Sequence, residues 1–380
     1  MPKLRFSEFT EDWEKRKLGE VAEIGRGKSK HRPRDAEFLY GGNFPFIQTG
    51  DIRKADLYLT EFTQTYSDAG LKQSKLWNEN TLCITIAANI AETAILKIKA
   101  CFPDSVIGLI PKENKTLVLF VKHLFDKFKI EIQNLSQGAA QDNLNQEKLS
   151  KIEFSFPEIN EQEKIATFLS HIDERIISQK KIIDNLEYLM LGFREKIFSQ
   201  KFRFKDDLGS DYLDWEESKL ENICQKQSSN ISANKIEDNF GNYIIYGASG
   251  VLKKVDFYEE ENDYISIVKD GAGVGRLFFC EGKSSVLGTM EIIKPKPDVN
   301  VQFLFYQLSN IDFTKYVTGS TIPHIYFKDY KNEKVKIPSI KEQTKIADFL
   351  SSIDEKIEVE KKILAQYETQ KKYLLANLFV

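Results

Sequence analysis

The stretch PEINEQEKIATFLSHIDE at residues 157–174 returns as PSIKEQTKIADFLSSIDE at residues 338–355, an offset of 181. Thirteen of the eighteen positions are identical in the two copies. A shorter repeat precedes each copy: Asp-Trp-Glu followed by Lys-Leu occurs at 12–18 and again at 214–220. A repeat spacing near 200 residues is too long for a solenoid. The chain is therefore an internal duplication, in which each half has a DWE segment, a variable region and a repeated tail.

Both tails have the apolar periodicity of a long helix. Apolar residues recur at alternating steps of four and three, the heptad pattern of a coiled coil. A helix of about 40 residues would be about 60 Å long. A helix with one apolar stripe needs a partner in water. Each tail could lie on its own domain, but the other copy is the simplest partner. We expect an antiparallel intramolecular pair formed by Ile165, Leu169, Ile172, Ile176, Ile183, Leu186, Ile346, Leu350, Ile353, Ile357 and Leu364.

The variable regions mix strand and helix patterns. Residues 81–86 and 264–268 have the composition of buried strands, whereas 117–135 and 301–316 have helical periodicity. The predicted fold class is α+β, with two tandem α/β domains joined by two long helices and pseudo-two-fold symmetry from the duplication. The predicted segments are a first domain at 1–155, a central helix at 156–200, a second domain at 201–337 and a C-terminal helix at 338–380.

Composition excludes several classes of protein. The chain has 54 basic and 57 acidic residues, a net charge of −3, which excludes a polybasic DNA binder. The four cysteines are too far apart in sequence for a zinc motif or a disulfide framework. The first 14 residues lack the apolar core of a secretory signal, and the longest apolar stretch, 82–98, contains charged residues. We expect a cytoplasmic protein with no membrane partner.

One run in the first domain is strongly basic. Arg26, Lys28, Lys30, Arg32 and Arg34 occur without an intervening acidic residue. Several cations on one loop can neutralise neighbouring phosphates of a nucleic acid. The alternative is an ordinary solvated loop.

Motifs for catalysis are weak. The sequence GAGVGR at 271–276 lacks the third glycine of a dinucleotide fingerprint and the Gly-Lys of a P-loop, which favours a glycine-rich turn. Asp104, Glu113 and Lys115 fit the loose pattern of a metal-dependent nuclease, but this pattern is common by chance in a chain rich in charged residues. The histidines lack metal-ligand spacing. We therefore expect a non-catalytic protein with no metal and no cofactor of its own.

The doubled motifs identify a family resemblance. The layout resembles the specificity subunit of bacterial type I restriction–modification systems over nearly the whole chain. The resemblance rests on both DWE segments, both repeated tails, the YGASG sequence at 246–250 and PFIQTGDI at 45–52. It implies two target recognition domains, each of which reads one half of a bipartite, asymmetric site in double-stranded DNA. The paired helices would set the spacer between the halves and dock two methyltransferase subunits. Those subunits would use S-adenosylmethionine to methylate adenine N6, and motor–nuclease subunits would join a restricting complex.

Candidate DNA contacts follow from polar loops at corresponding points of the repeat. Arg, Lys, Asn, Gln, Ser and Thr are typical readers of base edges in the major groove. In the first domain the candidates are Gln48, Thr49, Asp51, Arg53, Gln141 and Asn143. In the second they are Tyr246, Ser249, Lys253, Lys269, Arg276, Thr321 and His324. The basic run 26–34 would contact phosphates. Two alternatives stay open, namely a silent scaffold subunit that no longer reads DNA and the metal-dependent nuclease.

Overall fold

The computed structural model describes residues 1–87, 89–135 and 144–380, which divide into two compact units. The first unit contains residues 1–182 and 361–380, and the second contains residues 183–360. The strands of the first unit are β1 (Glu14–Lys17), β2 (Ala22–Arg26), β3 (Tyr40–Phe46), β4 (Tyr58–Leu59), β5 (Gln64–Tyr66), β6 (Leu82–Thr85), β7 (Thr93–Leu96), β8 (Val106–Pro111) and β9 (Glu153–Phe156). Its helices are α1 (Leu18–Val21), α2 (Thr49–Lys54), α3 (Asp68–Lys72), α4 (Val118–Lys127), α5 (Lys129–Asn134) and α6 (Gln146–Lys151).

A five-stranded sheet organises the first unit. Its strand order is β2-β8-β6-β7-β4, and its pairs are antiparallel except β4 with β7. Every residue of β6 and β7 is buried, because both faces of the sheet are covered. Leu82 and Ile84 of β6 share one core with Phe120 and Leu124 of α4. The same core includes apolar residues of the long helices, so the sheet, α4 and the helical tail share one core.

The second unit repeats these parts with different lengths. Long helix α7 (Ile159–Phe198) runs from the first unit into it, and α11 (Ile340–Leu378) returns. Its strands are β10 (Glu216–Lys219), β11 (Cys224–Ser228), β12 (Tyr243–Gly247), β13 (Gly250–Val255), β14 (Tyr264–Val268), β15 (Leu277–Cys280), β16 (Ser284–Val286), β17 (Met290–Pro295) and β18 (Lys334–Ile337). Its short helices are α8 (Leu220–Ile223), α9 (Val301–Leu308) and α10 (Phe327–Tyr330). Its sheets are the four-stranded β11-β17-β14-β15, the three-stranded β13-β12-β16 and the strand pair β10-β18.

Each DWE segment leads into a strand that pairs antiparallel with the strand preceding a long helix. In the first unit β1 pairs with β9, and in the second β10 pairs with β18. An arginine upstream of each segment binds the fully buried glutamate of the repeated tail: Arg5 lies 2.7 Å from Glu161, and Arg203 lies 3.0 Å from Glu342. In each unit these contacts join the segment around the DWE motif to the start of the repeated tail. The two motifs therefore recur together, once in each unit.

The two long helices run antiparallel. In the first unit Lys371, near the end of α11, lies 2.7 Å from Asp173, near the start of α7. In the second unit Phe193 of α7 stacks edge-on against Phe349 of α11, with ring centroids 5.0 Å apart. Of the predicted pairing residues, eight are buried and three are partly buried: buried are Ile165, Leu169, Ile172, Ile176, Ile183, Ile346, Leu350 and Ile357, and partly buried are Leu186, Ile353 and Leu364.

One predicted helix is divided in two. The helical pattern at 117–135 forms α4 and α5, which are separated at Phe128, a residue with φ −100° and ψ 19°. The backbone leaves the α conformation there, so the aromatic side chain packs against Phe154 of β9 with ring centroids 5.3 Å apart. Tertiary packing overrides a continuous helical periodicity at this point.

A buried cluster of charges joins α11 to α7 and α4. Lys371 Nζ lies 2.7 Å from Asp173 Oδ1 and 3.1 Å from Asp126 Oδ2, and Lys122 Nζ lies 2.5 Å from Asp126 Oδ1. His123 is fully buried, with Nδ1 3.8 Å from Asp173 and 3.9 Å from Asp126. Burial would raise the pKa of Asp126, but the two lysines hold it below its ordinary value. The cluster is thus a charged patch within an otherwise apolar interface.

Acid is expected to destabilise the protein through His123. Burial lowers the pKa of this imidazole to about 3, from an ordinary value of 6.5. The unfolded chain therefore binds a proton more readily, so the stabilisation is complete above about pH 6.5 and is lost as the pH falls toward 3. At pH 5 the loss is about 2 kcal/mol. His123→Leu, which introduces the residue found at matching position 304, should flatten the decline of the unfolding free energy between pH 6.5 and 4.5.

Urea unfolding of the full chain at several pH values measures this slope. Asp126, whose pKa is lowered, strengthens the acid loss only at lower pH, and Asp173, whose pKa burial raises, opposes it. The ammonium groups of Lys122 and Lys371 face the same cluster. The exposed His171 of α7 provides the control, because His171→Leu should keep the wild-type slope. A wild-type slope in His123→Leu would contradict the account.

Candidate nucleic-acid interface

The basic run of the first domain begins at the end of β2. Arg34 Nη2 lies 2.8 Å from Asp104 Oδ2, Arg32 Nη2 lies 4.0 Å from the same oxygen, and Arg26 Nε donates to the Asp104 carbonyl. Asp104 therefore fixes three of the five predicted phosphate contacts. Among the residues that the structure describes, the other two are exposed and make no ion pair: Lys28 and Lys30. All five residues of the run are exposed, and no carboxylate among those described competes with a phosphate for these two ammonium groups.

The nuclease alternative is wrong in its geometry. Asp104 precedes β8, whereas Glu113 and Lys115 follow it. Because β8 has six residues, the two ends lie about 20 Å apart. The three side chains do not converge, and the carboxylate of Asp104 is held by arginines. Within the described ranges, no group of three or more His, Cys, Asp or Glu residues is arranged to hold a metal ion.

Four of the predicted first-domain contacts lie on or next to helix α2: Gln48 just before it, Thr49 and Asp51 in its first turn, and Arg53 in its last turn. The prediction for Asp51 needs correction, because this side chain is buried and stabilises the helix start. Its Oδ2 accepts from the backbone N–H of Gln48 at 2.8 Å, and its Oδ1 accepts from Thr63 Oγ1 at 3.1 Å. Arg53 is exposed, whereas Thr49 is half-buried. The remaining two candidates lie outside the described residues: Gln141 and Asn143.

An open cavity of about 620 Å³ lies beside α2. Gln48 and Gln64 line it, and Gln48 Nε2 donates to Gln64 Oε1 at 2.5 Å. Gln64 was not among the sequence candidates. It belongs to the three-residue strand β5, and its pairing with Phe46 across the β3–β5 ladder brings it to Gln48. No local pattern in the sequence signals this cross-strand placement.

Three loops of the second unit are hydrogen-bonded to one another. Arg276 Nη1 donates to Ala248 O at 3.1 Å, which joins the glycine-rich loop to the turn between β12 and β13. The backbone N–H of Gly271 donates to Pro323 O at 2.9 Å, which joins it to the loop before α10. The glycine-rich loop connects β14 to β15 and is followed by a strand rather than a helix, so it is a turn. Gly271 and Gly275 have φ of +92° and +84°, which explains the glycines.

The structure divides the predicted contacts of the second domain. Three are exposed on these joined loops: Ser249, Arg276 and Thr321. Lys269 and His324 are half-buried, and the backbone N–H of Ile325 donates to Lys269 O at 2.9 Å.

Two candidates of the second domain need correction. Tyr246 is 7% exposed, and burial raises the pKa of its hydroxyl, so it belongs to the core. Lys253 Nζ donates to the carbonyls of Ile236 and Glu237 at 2.7 and 2.9 Å, so its ammonium braces a neighbouring turn. The sequence gives no signal that Tyr246 of β12 is buried or that Lys253 of β13 binds these two carbonyls.

Known proteins match this chain in a way that reflects its internal duplication. A family model described as type I restriction modification DNA specificity domain matches residues 10–188 and again residues 212–369. Over 98% of its length the chain is 26% identical to the putative type I restriction enzyme MjaX specificity subunit of Methanocaldococcus jannaschii, of which the match covers 94%. It is also 25% identical over 96% of its length to the MjaVIII specificity subunit of the same organism, with 91% of that protein covered.

A solved structure has the same fold. The S subunit of a type I restriction–modification system from M. genitalium matches with a TM-score of 0.71 and 20% identity, and the match covers 100% of this chain and 99% of that one. In the described part of the chain, every helix is too short or too polar to cross a membrane. The chain belongs to the type I restriction modification DNA specificity family and is a specificity subunit with two tandem recognition domains.

Proposed function

We propose that the chain reads a bipartite, asymmetric site in double-stranded DNA, with one half-site read by each recognition domain. The duplication carries this proposal: the contacts that close each unit are repeated, whereas the candidate loops differ in length and sequence. Gln162 and Gln343 illustrate the repeated part, since each donates to the carbonyl of the proline five residues upstream at 2.9 Å. Two different sets of loops on two equivalent supports predict two different half-sites.

The two kinds of exposed side chain have separate roles in this proposal. Lys28 and Lys30 bind phosphates, which positions the domain without reading sequence. In the second domain Ser249, Arg276 and Thr321 reach base edges from the joined loops. An arginine pairs well with the O6 and N7 atoms of guanine. Because the chain is nearly neutral, its electrostatic attraction to DNA is weak. Partner subunits therefore supply a substantial share of the affinity for DNA.

The partners follow from the same proposal. The long helices dock two methyltransferase subunits, which bind S-adenosylmethionine and methylate adenine N6 on the DNA that this chain selects. Motor–nuclease subunits join the complex in a restricting system. The specificity subunit supplies recognition rather than catalysis and acts in the cytoplasm. Its helices also set the number of unread base pairs between the half-sites.

The spacer role predicts the result of a matched insertion. Seven residues are inserted in α7 between Ile182 and Ile183 and seven in α11 between Glu360 and Lys361, the two points where the chain passes between units. One heptad adds about 10 Å of helix, so the spacer should lengthen by about three base pairs at 3.4 Å each. Methylome sequencing of cells that express the variant with its methyltransferase gives the new motif.

Matched insertions preserve the pairing inside each unit, so both half-sites should be unchanged. A seven-residue replacement at the same points, which keeps the length, is the control and should leave the wild-type motif. Intact half-sites at the original spacing in the insertion variant would contradict the spacer role.

A further inference from the structure

We propose that the paired amides of Gln48 and Gln64 read an A·T base pair in the half-site of the first domain. This inference rests on the proposed function and assigns one base contact within it. The hydrogen bond from Gln48 Nε2 to Gln64 Oε1 uses one donor and one acceptor. It leaves the carbonyl oxygen of Gln48 as an acceptor and the amino group of Gln64 as a donor, on two residues that line the open cavity. Turning both amides over exchanges these roles and leaves the same combination.

Adenine presents the complementary combination in the major groove. Its N7 atom accepts and its N6 amino group donates, and a carboxamide that does both is a recurrent reader of adenine. In this site the two functions are divided between two side chains. The amino group of Gln64 binds N7, and the carbonyl oxygen of Gln48 binds the N6 amino group.

The pair is held in place before DNA binds. Asp51 accepts from the backbone N–H of Gln48 at 2.8 Å, and Thr63 donates to the same carboxylate at 3.1 Å. The register of β5 places the backbone of Gln64 opposite Phe46, and the hydrogen bond from Gln48 holds its side chain. A preorganised amide pair loses little side-chain entropy on binding, which is what a specific contact requires. The buried Asp51 therefore has a role in recognition: it positions Gln48 and does not itself contact a base.

The charge around the amides favours a base over a phosphate. Arg34, Asp35 and Glu37 line the same cavity, so two carboxylates face one guanidinium, and that guanidinium is already bonded to Asp104 at 2.8 Å. A phosphate would meet net repulsion there. A base edge is neutral and needs only hydrogen bonds. Lys28 and Lys30 of the neighbouring loop are the cations that bind the phosphates of the DNA backbone.

The test uses the full chain in complex with its methyltransferase and a duplex carrying the methylated motif of the wild-type system. Adenines of the first-domain half-site are replaced one at a time by 7-deazaadenine, which lacks the N7 acceptor. At one adenine the affinity should fall between about 5-fold and 150-fold, because the amino group that binds N7 is left without an acceptor. Gln64→Leu should lose a similar factor on natural DNA and be insensitive to that substitution. Gln64→Glu keeps the size of the side chain and should also lose binding, because its carboxylate repels N7.

Gln225→Leu, at an exposed position of β11, is the matched control and should bind as the wild type does. A thermal melt close to that of the wild type shows that the Gln64 variants are folded. Wild-type affinity in both Gln64 variants, or full tolerance of every 7-deazaadenine, would overturn the inference while leaving the proposed function intact. Failure of the wild-type complex to discriminate its motif from other DNA would overturn both.

Discussion

Lys371→Met is expected to lower the free energy of unfolding by about 3 kcal/mol. The ammonium of Lys371 contacts the carboxylates of Asp126 and Asp173, which are 19% and 9% exposed. Removing one partner of a buried ion pair costs about 3–5 kcal/mol, because the remaining charge is uncompensated. Lys122 still neutralises part of the cluster, which favours the lower end of that range. Urea unfolding of the full chain at pH 7 measures the change.

The second copy shows how the same interface works without the lysine. Met190 occupies the position that matches Lys371, and there Tyr306 Oη donates to Asp354 Oδ2 at 2.6 Å. In the first copy the residue that matches Tyr306 is Phe125, which has no hydroxyl. The two cores therefore satisfy equivalent aspartates by different chemistry.

This difference supplies a repair variant. Lys371→Met combined with Lys122→Phe, Phe125→Tyr and Asp126→Gln copies the matching side chains of the second core into the first, and should recover most of the lost stability. Lys372→Met, at an exposed neighbouring position, is the control and should stay within about 0.5 kcal/mol of the wild type. Wild-type stability in Lys371→Met, or no recovery in the combined variant, would contradict the role given to the cluster.

Exchange of the second recognition domain is expected to replace one half of the methylated motif and keep the other. The exchanged segment is 201–337, taken from a family member that recognises a different site. It carries β10 and β18 together, so the strand pair that closes the unit is transferred whole. Its arginine at the position of Arg203 must be present to bind Glu342, which is fully buried in α11. Both long helices are retained, so the spacer should stay the same.

Methylome sequencing of cells that express the exchanged chain with the original methyltransferase measures this outcome. The reciprocal control exchanges 1–155 and should replace the other half-site. A motif in which both halves change after a single exchange would contradict independent reading by the two domains. A motif that keeps both halves would place recognition outside the exchanged segment.

The long-range organisation of the fold could be predicted from the sequence because duplication repeats its signals. The heptad stripes of α7 and α11 identified two long helices, and their apolar residues line the cores. The DWE segments were recognised as a repeat, but their role was not, since Arg5 lies 156 positions from Glu161 in the sequence. Contacts of that separation leave no local periodicity. The division between α4 and α5 at Phe128 likewise depends on a contact with Phe154 that is distant in sequence.

The candidate site was less predictable, because base-reading chemistry and structural chemistry use the same residue types. Asp51 and Tyr246 are buried, and Lys253 donates to two backbone carbonyls of its own domain. Gln64 lies in a strand of three residues and carries no motif. Only the pairing of β3 with β5 reveals that it meets Gln48.

The most direct test of the recognition role is single-molecule methylome sequencing of a host that carries this gene and its methyltransferase partner. The comparison is the same host lacking only this gene. The account predicts one split, asymmetric motif with methylated adenine that is present in the first host and absent from the second. Identical methylomes in the two hosts would contradict it and would favour a silent scaffold.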